Sequence, residues 1–167
     1  AENVLTKPQI TAWCTGRVKA VGSKTAPELY AAHLSQREAA QILSNFFYDV
    51  RLKSRIELRA ADSMPPRYIA AYAQLVKSVF GSPAALQNVL RHYAGITTLD
   101  ITTAKLAVCK DGFNALAYGK PISSEMTWLL MQARSRTPSQ EERALLDPFM
   151  ALVMKRKTIR ETENYNE

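Results

Sequence analysis

Cysteine is scarce in this chain. There are two, Cys14 and Cys109, far apart and in no paired motif. That excludes a disulfide framework of the kind that holds small secreted domains together, and two free thiols fit a reducing compartment, with the cytoplasm as the default. Histidine is equally sparse. His33 and His92 each lack a second His or a Cys at ligand spacing, so both read as surface or helix-end residues and not as transition-metal ligands. Long apolar runs are missing as well: no stretch approaches the ~20 residues that span a bilayer, and no signal-peptide pattern opens the chain. The expectation is a soluble protein with no membrane partner. The first residue is Ala1 and not Met, which reads as a processed chain or a piece of a longer one. There is no internal repeat and no low-complexity tract.

What the chain has is positive charge, with a formal net charge of +7 and a pI near 9.5. At 167 residues it is long enough to bury a core. The charge is spread along the sequence without forming a basic block, so it suits small anions as well as nucleic acid. Its densest patterned use lies between Val50 and Asp62, V-R-L-K-S-R-I-E-L-R-A-A-D. As one strand with a side-chain period of two, this stretch aligns Arg51, Lys53, Arg55, Glu57 and Arg59 on one face and Val50, Leu52, Ile56 and Leu58 on the other. Clustered cations repel one another unless an anion sits above them, and a single Glu among guanidinium groups is placed to hold a metal ion or to orient an arginine. A solvated outer face of a strand gives the same alternation. Both readings stand on pattern alone.

The rest of the chain reads mainly as helix. Residues 1–34, broken by Pro8, Gly16, Gly22 and Pro27, read as an irregular N-terminal arm with at most a short strand or helix. Ser35-Gln36-Arg37-Glu38 is a capping box opening a helix whose stripe is Ala39, Ile42, Leu43, Phe46 and Phe47. Tyr48 and Asp49 then form a hinge into the charged strand. Pro65-Pro66 ends that strand, and Tyr68, Ile69, Tyr72, Leu75, Val76, Val79 and Phe80 define a helix closed by Gly81. Ser82-Pro83 starts another helix, a further one runs from about Asp100 to Lys110, and Phe113 to Lys120 is a loop or short strand. A helix from Ser123 to Arg134 faces the core with Met126, Leu129, Leu130 and Ala133, leaving Trp128 to mark a contact with another chain. Thr137-Pro138-Ser139-Gln140 reads as a capping box, Asp147-Pro148 breaks the helix it starts, and Lys155-Arg156-Lys157 favours a helix C-terminus.

These elements give an α+β chain, predominantly helical, in which one charged central strand, with or without a short partner strand, is packed by about five to six helices. Its organisation reads as the arm at 1–34, a mainly helical portion at 35–158 and a frayed polar tail at 159–167.

The segment Phe46-Phe47-Tyr48-Asp49-Val50-Arg51-Leu52-Lys53, followed by Ile56-Glu57-Leu58-Arg59-Ala60-Ala61-Asp62-Ser63-Met64-Pro65, resembles the late catalytic segment of glutamate–cysteine ligases, where a Val-Arg-Leu-Lys run leads into a Glu-x-Arg-x-x-Asp strand. Weaker similarity continues through Tyr68 to Phe80 and from Gly112 to Lys120. The resemblance implies a fragment of a glutamine-synthetase-like catalytic fold, the C-terminal part of a ligase that consumes ATP, L-glutamate and L-cysteine with Mg2+. It implies that Glu57 ligates magnesium, that Arg59 is the catalytic guanidinium contacting charged substrates, and that Arg51 and Lys53 support phosphate or carboxylate. Asp62 reads as a turn anchor or as support for Arg59, and Arg55 as a neighbouring supporting charge. Lys120 is a phosphate contact or a surface lysine. The sequence departs from the family pattern at Tyr48, where Pro is common, and at Arg55, where an aromatic is common. The family's other metal-binding carboxylates have no counterpart in Ala1 to Leu34, so the N-terminal remainder of the catalytic domain is an implied partner and the chain alone is expected to be inactive. Two rival functions remain: a sister carboxylate–amine ligase with another amine acceptor, and a basic helical module that binds nucleic acid. Few aromatics interleave the Arg51 to Arg59 charges, which counts against nucleic acid.

Overall fold

The computed structural model describes residues 7–9, 11–14, 16–30, 33–44, 49–52 and 55–163. The chain is α+β and mostly helical, with its strands in short antiparallel hairpins. It divides into two compact units, Ala1–Asp62 and Ser63–Glu167.

In the first unit, β1 (Thr11–Cys14) pairs with β2 (Arg17–Ala20) across a tight turn in which Gly16 takes φ +78°. That left-handed geometry is open to glycine without the clash a Cβ brings. A short helix α1 (Ala26–Leu29) follows, and then α2 (Gln36–Ser44). The start of α2 is the expected capping box: the Ser35 hydroxyl accepts from the Glu38 N–H at 3.2 Å, and the Glu38 carboxylate accepts from the Ser35 N–H at 2.8 Å. This helix packs on β1, where the Gln41 side-chain amide donates to the Thr11 hydroxyl at 2.8 Å, and Ala12, Ala26 and Ile42 are buried. The part of the expected stripe at Phe46 and Phe47, and the hinge residue Tyr48, lie outside the described residues.

The charged stretch is not the single strand expected from its alternation. It is a hairpin of β3 (Val50–Leu52) and β4 (Ile56–Leu58), paired antiparallel with Val50 opposite Leu58, Arg51 opposite Glu57 and Leu52 opposite Ile56. The Arg59 N–H donates to the Asp49 carbonyl at 2.7 Å and extends the ladder by one pair. Three residues, 53–55, make the connection, one of the common hairpin loop lengths. Folding back sets a carboxylate opposite an arginine, where one continuous strand would have ranked four cations on a single face. The apolar alternation does not build the central, helix-packed core strand that was expected, since Val50 and Ile56 are 55% and 68% exposed.

The second unit is a helical assembly. Helix α3 (Pro66–Phe80) begins at Pro66, whose missing N–H costs nothing in a first turn, and ends at Gly81. It packs against α4 (Pro83–His92), α6 (Ile122–Ser135) and α8 (Asp147–Lys155). Helix α4 is capped by the Ser82 hydroxyl, which accepts from the Ala85 N–H. Between α4 and α6 run α5 (Thr98–Asp111), a single 3-10 turn and the hairpin of β5 (Leu116–Ala117) with β6 (Lys120–Pro121). Tyr118 and Gly119, at φ +56° and +77°, close that hairpin in the mirror-image turn that suits the twist of paired strands. Val79, Leu130, Ala133, Leu146 and Val153 form the core, with Met126, Leu129 and Phe149 packed against them. Of the expected α3 stripe, Val79 enters this core and Leu75 packs on it, while Ile69 and Phe80 are about half exposed.

The capping box expected at Thr137 is also displaced. Ser139 caps α7 (Gln140–Ala144), while Thr137 is buried and closes a polar network. Its hydroxyl donates to the Ala133 carbonyl at 2.8 Å, which leaves its oxygen to accept from Ser78 at 2.9 Å and from the Gln74 amide at 3.1 Å. The helix is interrupted between α7 and α8, but one step earlier than the expected break or kink at Asp147-Pro148: Asp147 opens α8 with Pro148 in its first turn, and Leu146, at the interruption, is fully buried. Residues 159–167, expected as a frayed tail, open with the capped turn α9 (Ile159–Thr162), and Glu163 forms an ion pair with Arg67.

Truncating Leu146 removes the side chain that plugs this break. Leu146→Ala is expected to lower unfolding stability by about 2–5 kcal/mol, read from urea denaturation followed by circular dichroism.

Candidate functional site

A hairpin brings together what a linear reading spreads out. Residues directly opposite in an antiparallel pair share a face, and so do residues two apart on one strand. Register therefore places Arg51 on the face that carries Glu57, and alternation continues that face to Arg59. The Arg59 guanidinium Nε lies 3.4 Å from Glu57 Oε1, with the two side chains 17% and 36% exposed. The carboxylate is the more open of the pair, and the Arg59 side chain is largely covered.

The other expected site residues are distributed differently. Lys53 lies outside the described residues. Arg55 is exposed in the connection before β4, and Asp62 is exposed beyond the end of the ladder. The arrangement that remains is one carboxylate, Glu57, paired with the guanidinium of Arg59 just past the end of its strand, with position 51 in backbone register opposite it.

The donor set sets limits on a metal. Among the described residues no group of three or more His, Cys, Asp or Glu side chains converges as a metal site. Glu57 supplies a hard oxygen donor of the kind that takes one position in a magnesium shell otherwise completed by phosphate oxygens and water, the usual way this ion is held. A self-contained protein cage for magnesium does not fit these residues.

A second polar cluster lies wholly in the helical unit and has no local sequence signal. Glu125, in the first turn of α6, is 5% exposed. Its Oε2 accepts from His92 Nε2 at 2.9 Å, which fixes a proton on that nitrogen because an ionised carboxylate can only accept. Its Oε1 lies 3.3 Å from Lys120 Nζ. The His92 ring stacks on Trp128 at 3.5 Å between centroids, and Tyr93 meets both rings edge-on. Trp128, expected to mark a contact with another chain, is thus used within this one. Lys120, read as a phosphate contact or a surface lysine, is paired with a carboxylate. The cluster joins the end of α4, strand β6 and the start of α6, beside a mostly apolar cleft of about 370 Å³ lined by Tyr93, Tyr118, Glu125 and Met126.

Two titrations follow from this packing. Burial pushes the Tyr93 hydroxyl up, and the neighbouring Glu125 charge adds to it. For Glu125, burial alone would raise the carboxyl, but the hydrogen bonds from His92 and Lys120, aided by their charge, outweigh it and hold the group below its ordinary 4.5.

Compared with models of known protein families the chain matches none, and no curated protein matches it. Among the described residues no helix is long and apolar enough to cross a membrane.

Because Glu125 binds its proton more weakly folded than unfolded, its stabilising contribution is fully present above the unfolded value of 4.5 and disappears as pH falls through the lower folded one. Glu125→Gln is expected to cost about 1–3 kcal/mol at neutral pH, from a buried hydrogen-bonded charge. The difference from the parent protein should shrink as pH drops below 4.5, measured by urea denaturation across a pH series.

Proposed function

We propose that this chain is the C-terminal portion of the catalytic domain of an ATP-dependent glutamate–cysteine ligase, with a glutamine-synthetase-like architecture in the complete enzyme. The reading rests on the ordered resemblance from Phe46 to Pro65. The single observation that gives it physical sense is the Glu57–Arg59 pair at the end of β4, with Arg51 in register opposite Glu57. An anionic guest needs convergent guanidinium groups, and arginine binds carboxylate and phosphate through paired, planar N–H donors.

In this reaction ATP transfers its terminal phosphoryl group to the γ-carboxylate of L-glutamate. The amine of L-cysteine then attacks the resulting acyl phosphate, forming the amide and releasing phosphate. Such phosphoryl transfer depends on positioning and charge neutralisation more than on covalent participation by the protein. Arg59 carries the catalytic role, holding the substrate anion, and Arg51 and Lys53 add positive potential. Arg55 and Asp62 act at one remove, by supporting the charge and the turn. Mg2+, when bound, neutralises the charge that develops on the phosphates, and Glu57 would be one of its oxygen ligands. The remaining protein ligands come from the N-terminal remainder of the catalytic domain, the partner this reading requires. A cytoplasmic setting and the absence of a nucleic-acid partner belong to the same reading.

The coding sequence upstream of Ala1 tests the proposal. A preceding domain with several acidic strand residues is expected, and a start codon immediately before Ala1 would overturn it. The purified chain is expected to make no γ-glutamylcysteine, and measurable product would defeat the division of the site between this chain and a remainder. Calorimetric titration with L-glutamate should show binding that Arg59→Ala weakens by about tenfold or more, the loss of a charged hydrogen bond. Salt-sensitive binding to DNA or RNA with no response to L-glutamate would favour the nucleic-acid module instead.

A further inference from the structure

The Lys155-Arg156-Lys157 run ends α8, and the way it does so shapes an apolar cavity that the ligase reading does not use. Arg156 takes φ +51° and ψ +43°, and the Lys157 N–H donates to the Leu152 carbonyl at 3.0 Å. A left-handed residue just past a helix, followed by a bond back into its last turn, reverses the chain. That conformation is unfavourable for a side chain, and the Arg156 guanidinium offsets the cost by donating to the Phe113 carbonyl at 2.7 Å and to Asn114 Oδ1 at 3.3 Å. The reversal brings α9 back beside α8, where Lys157 and Ile159 complete a cavity of about 270 Å³ walled by Val108, Phe113, Met126, Phe149 and Leu152. At its far end the turn is tied to α3 by the ion pair of Glu163 with Arg67, so the wall that Ile159 supplies is held on both sides.

We propose that this cavity binds a small amphipathic anion, a monocarboxylate whose apolar body lies among these side chains and whose carboxylate meets the Lys157 ammonium. Two observations define that chemistry. The first is volume and lining. An apolar cavity of roughly 150 Å³ takes benzene, and clefts for drug-sized ligands begin near about 300 Å³, so the guest is a short chain or one substituted ring, with about six to ten carbons.

The second is charge. Among the described residues that line the cavity, Lys157 is the one that carries charge, and it is exposed, which sets its ammonium at the mouth. The polar side chain beside it, Thr158, is already engaged: its hydroxyl donates to Glu161 at 2.8 Å and accepts from the Glu161 N–H at 3.3 Å. The Glu161 carboxylate also accepts from the Thr158 N–H at 2.7 Å. The acid closest to Lys157 in sequence is therefore committed to the turn. A cation at the mouth of an apolar cavity favours an anionic head over a cationic one.

The experiment titrates the whole chain calorimetrically with straight-chain monocarboxylates from butanoate to dodecanoate, each below its micelle concentration. Octanoate is expected to bind at one site. Affinity should rise about fourfold per methylene while the chain enters the cavity, then level off at about eight to ten carbons. Octylamine should bind more weakly than octanoate. Lys157→Gln should weaken octanoate about two- to fivefold, the range of an exposed ion pair, and leave octanol unchanged. Leu152→Phe fills part of the cavity from the helix, and Ile159→Trp fills it from the turn, away from the helical core. Each should move the plateau to chains shorter by about one carbon or more, a readout that a purely structural role would not move, and circular dichroism checks that each variant is folded. Absent octanoate binding, a rise that never levels off, or a plateau unmoved in the folded filling variants overturns the cavity as the site. Octylamine binding as tightly as octanoate, or Lys157→Gln affecting octanoate and octanol alike, overturns the anionic head. All of these outcomes leave the ligase reading untouched, because its residues lie in the other unit.

Discussion

Everything proposed for the charged hairpin depends on its register. The backbone pairing sets position 51 opposite Glu57, and alternation brings Arg59 onto the face of Glu57, where the two form an ion pair. A slip by one residue would move each of these groups to the other side of the ladder and set Glu57 against an aliphatic neighbour. Two strands of three residues make few hydrogen bonds to resist such a slip, and the Arg59 to Asp49 backbone bond adds one more. Opposite charges across the pair reinforce the backbone, since like charges there would oppose it. The same electrostatics thus sets the fold of the segment and the chemistry it offers.

Many of the helices in both units were legible in the sequence because helix ends are written locally. Ser35 with Glu38, Ser82 before Pro83, and Gly81 after Phe80 each satisfy or terminate backbone donors within a few residues. The places where the reading failed are those where partners lie far apart in the chain. Thr137 has the residue types of a cap around it, but Gln74 and Ser78 on another helix claim its hydroxyl. Trp128 falls off the apolar stripe of its helix, and only the fold shows that His92 lies beneath its ring. Ile69 and Phe80 keep helical spacing with the core residues of α3 yet stand at the edges of the buried face, where period alone does not tell covered from open.

The candidate site was legible in composition and only partly in geometry. Alternation identified Glu57 and Arg59 as neighbours on one face, and the structure pairs them. The reversal between Leu52 and Ile56 was hidden because the connecting Lys-Ser-Arg carries no Gly, Asn or Asp to announce a turn. Glu125 was passed over entirely: a glutamate in the first turn of a helix is ordinarily a solvated residue favoured by the dipole, and nothing near it in sequence points to His92. Glu57 is paired with a guanidinium two residues away, whereas Glu125 is held by donors from other elements of its unit. The first is partly exposed, and the second is buried at the edge of a cleft.

The Thr137 network has a consequence for how the helices around it are joined. A hydroxyl owns one proton, and here it is committed to the Ala133 carbonyl, so Ser78 and Gln74 must both point their hydrogens toward Thr137. The network therefore runs in a single direction, from α3 to α6, with no alternative arrangement of protons of equal energy. A valine, nearly the same shape, would seat in the same space and present a methyl group to two inward-facing donors, leaving both without an acceptor there.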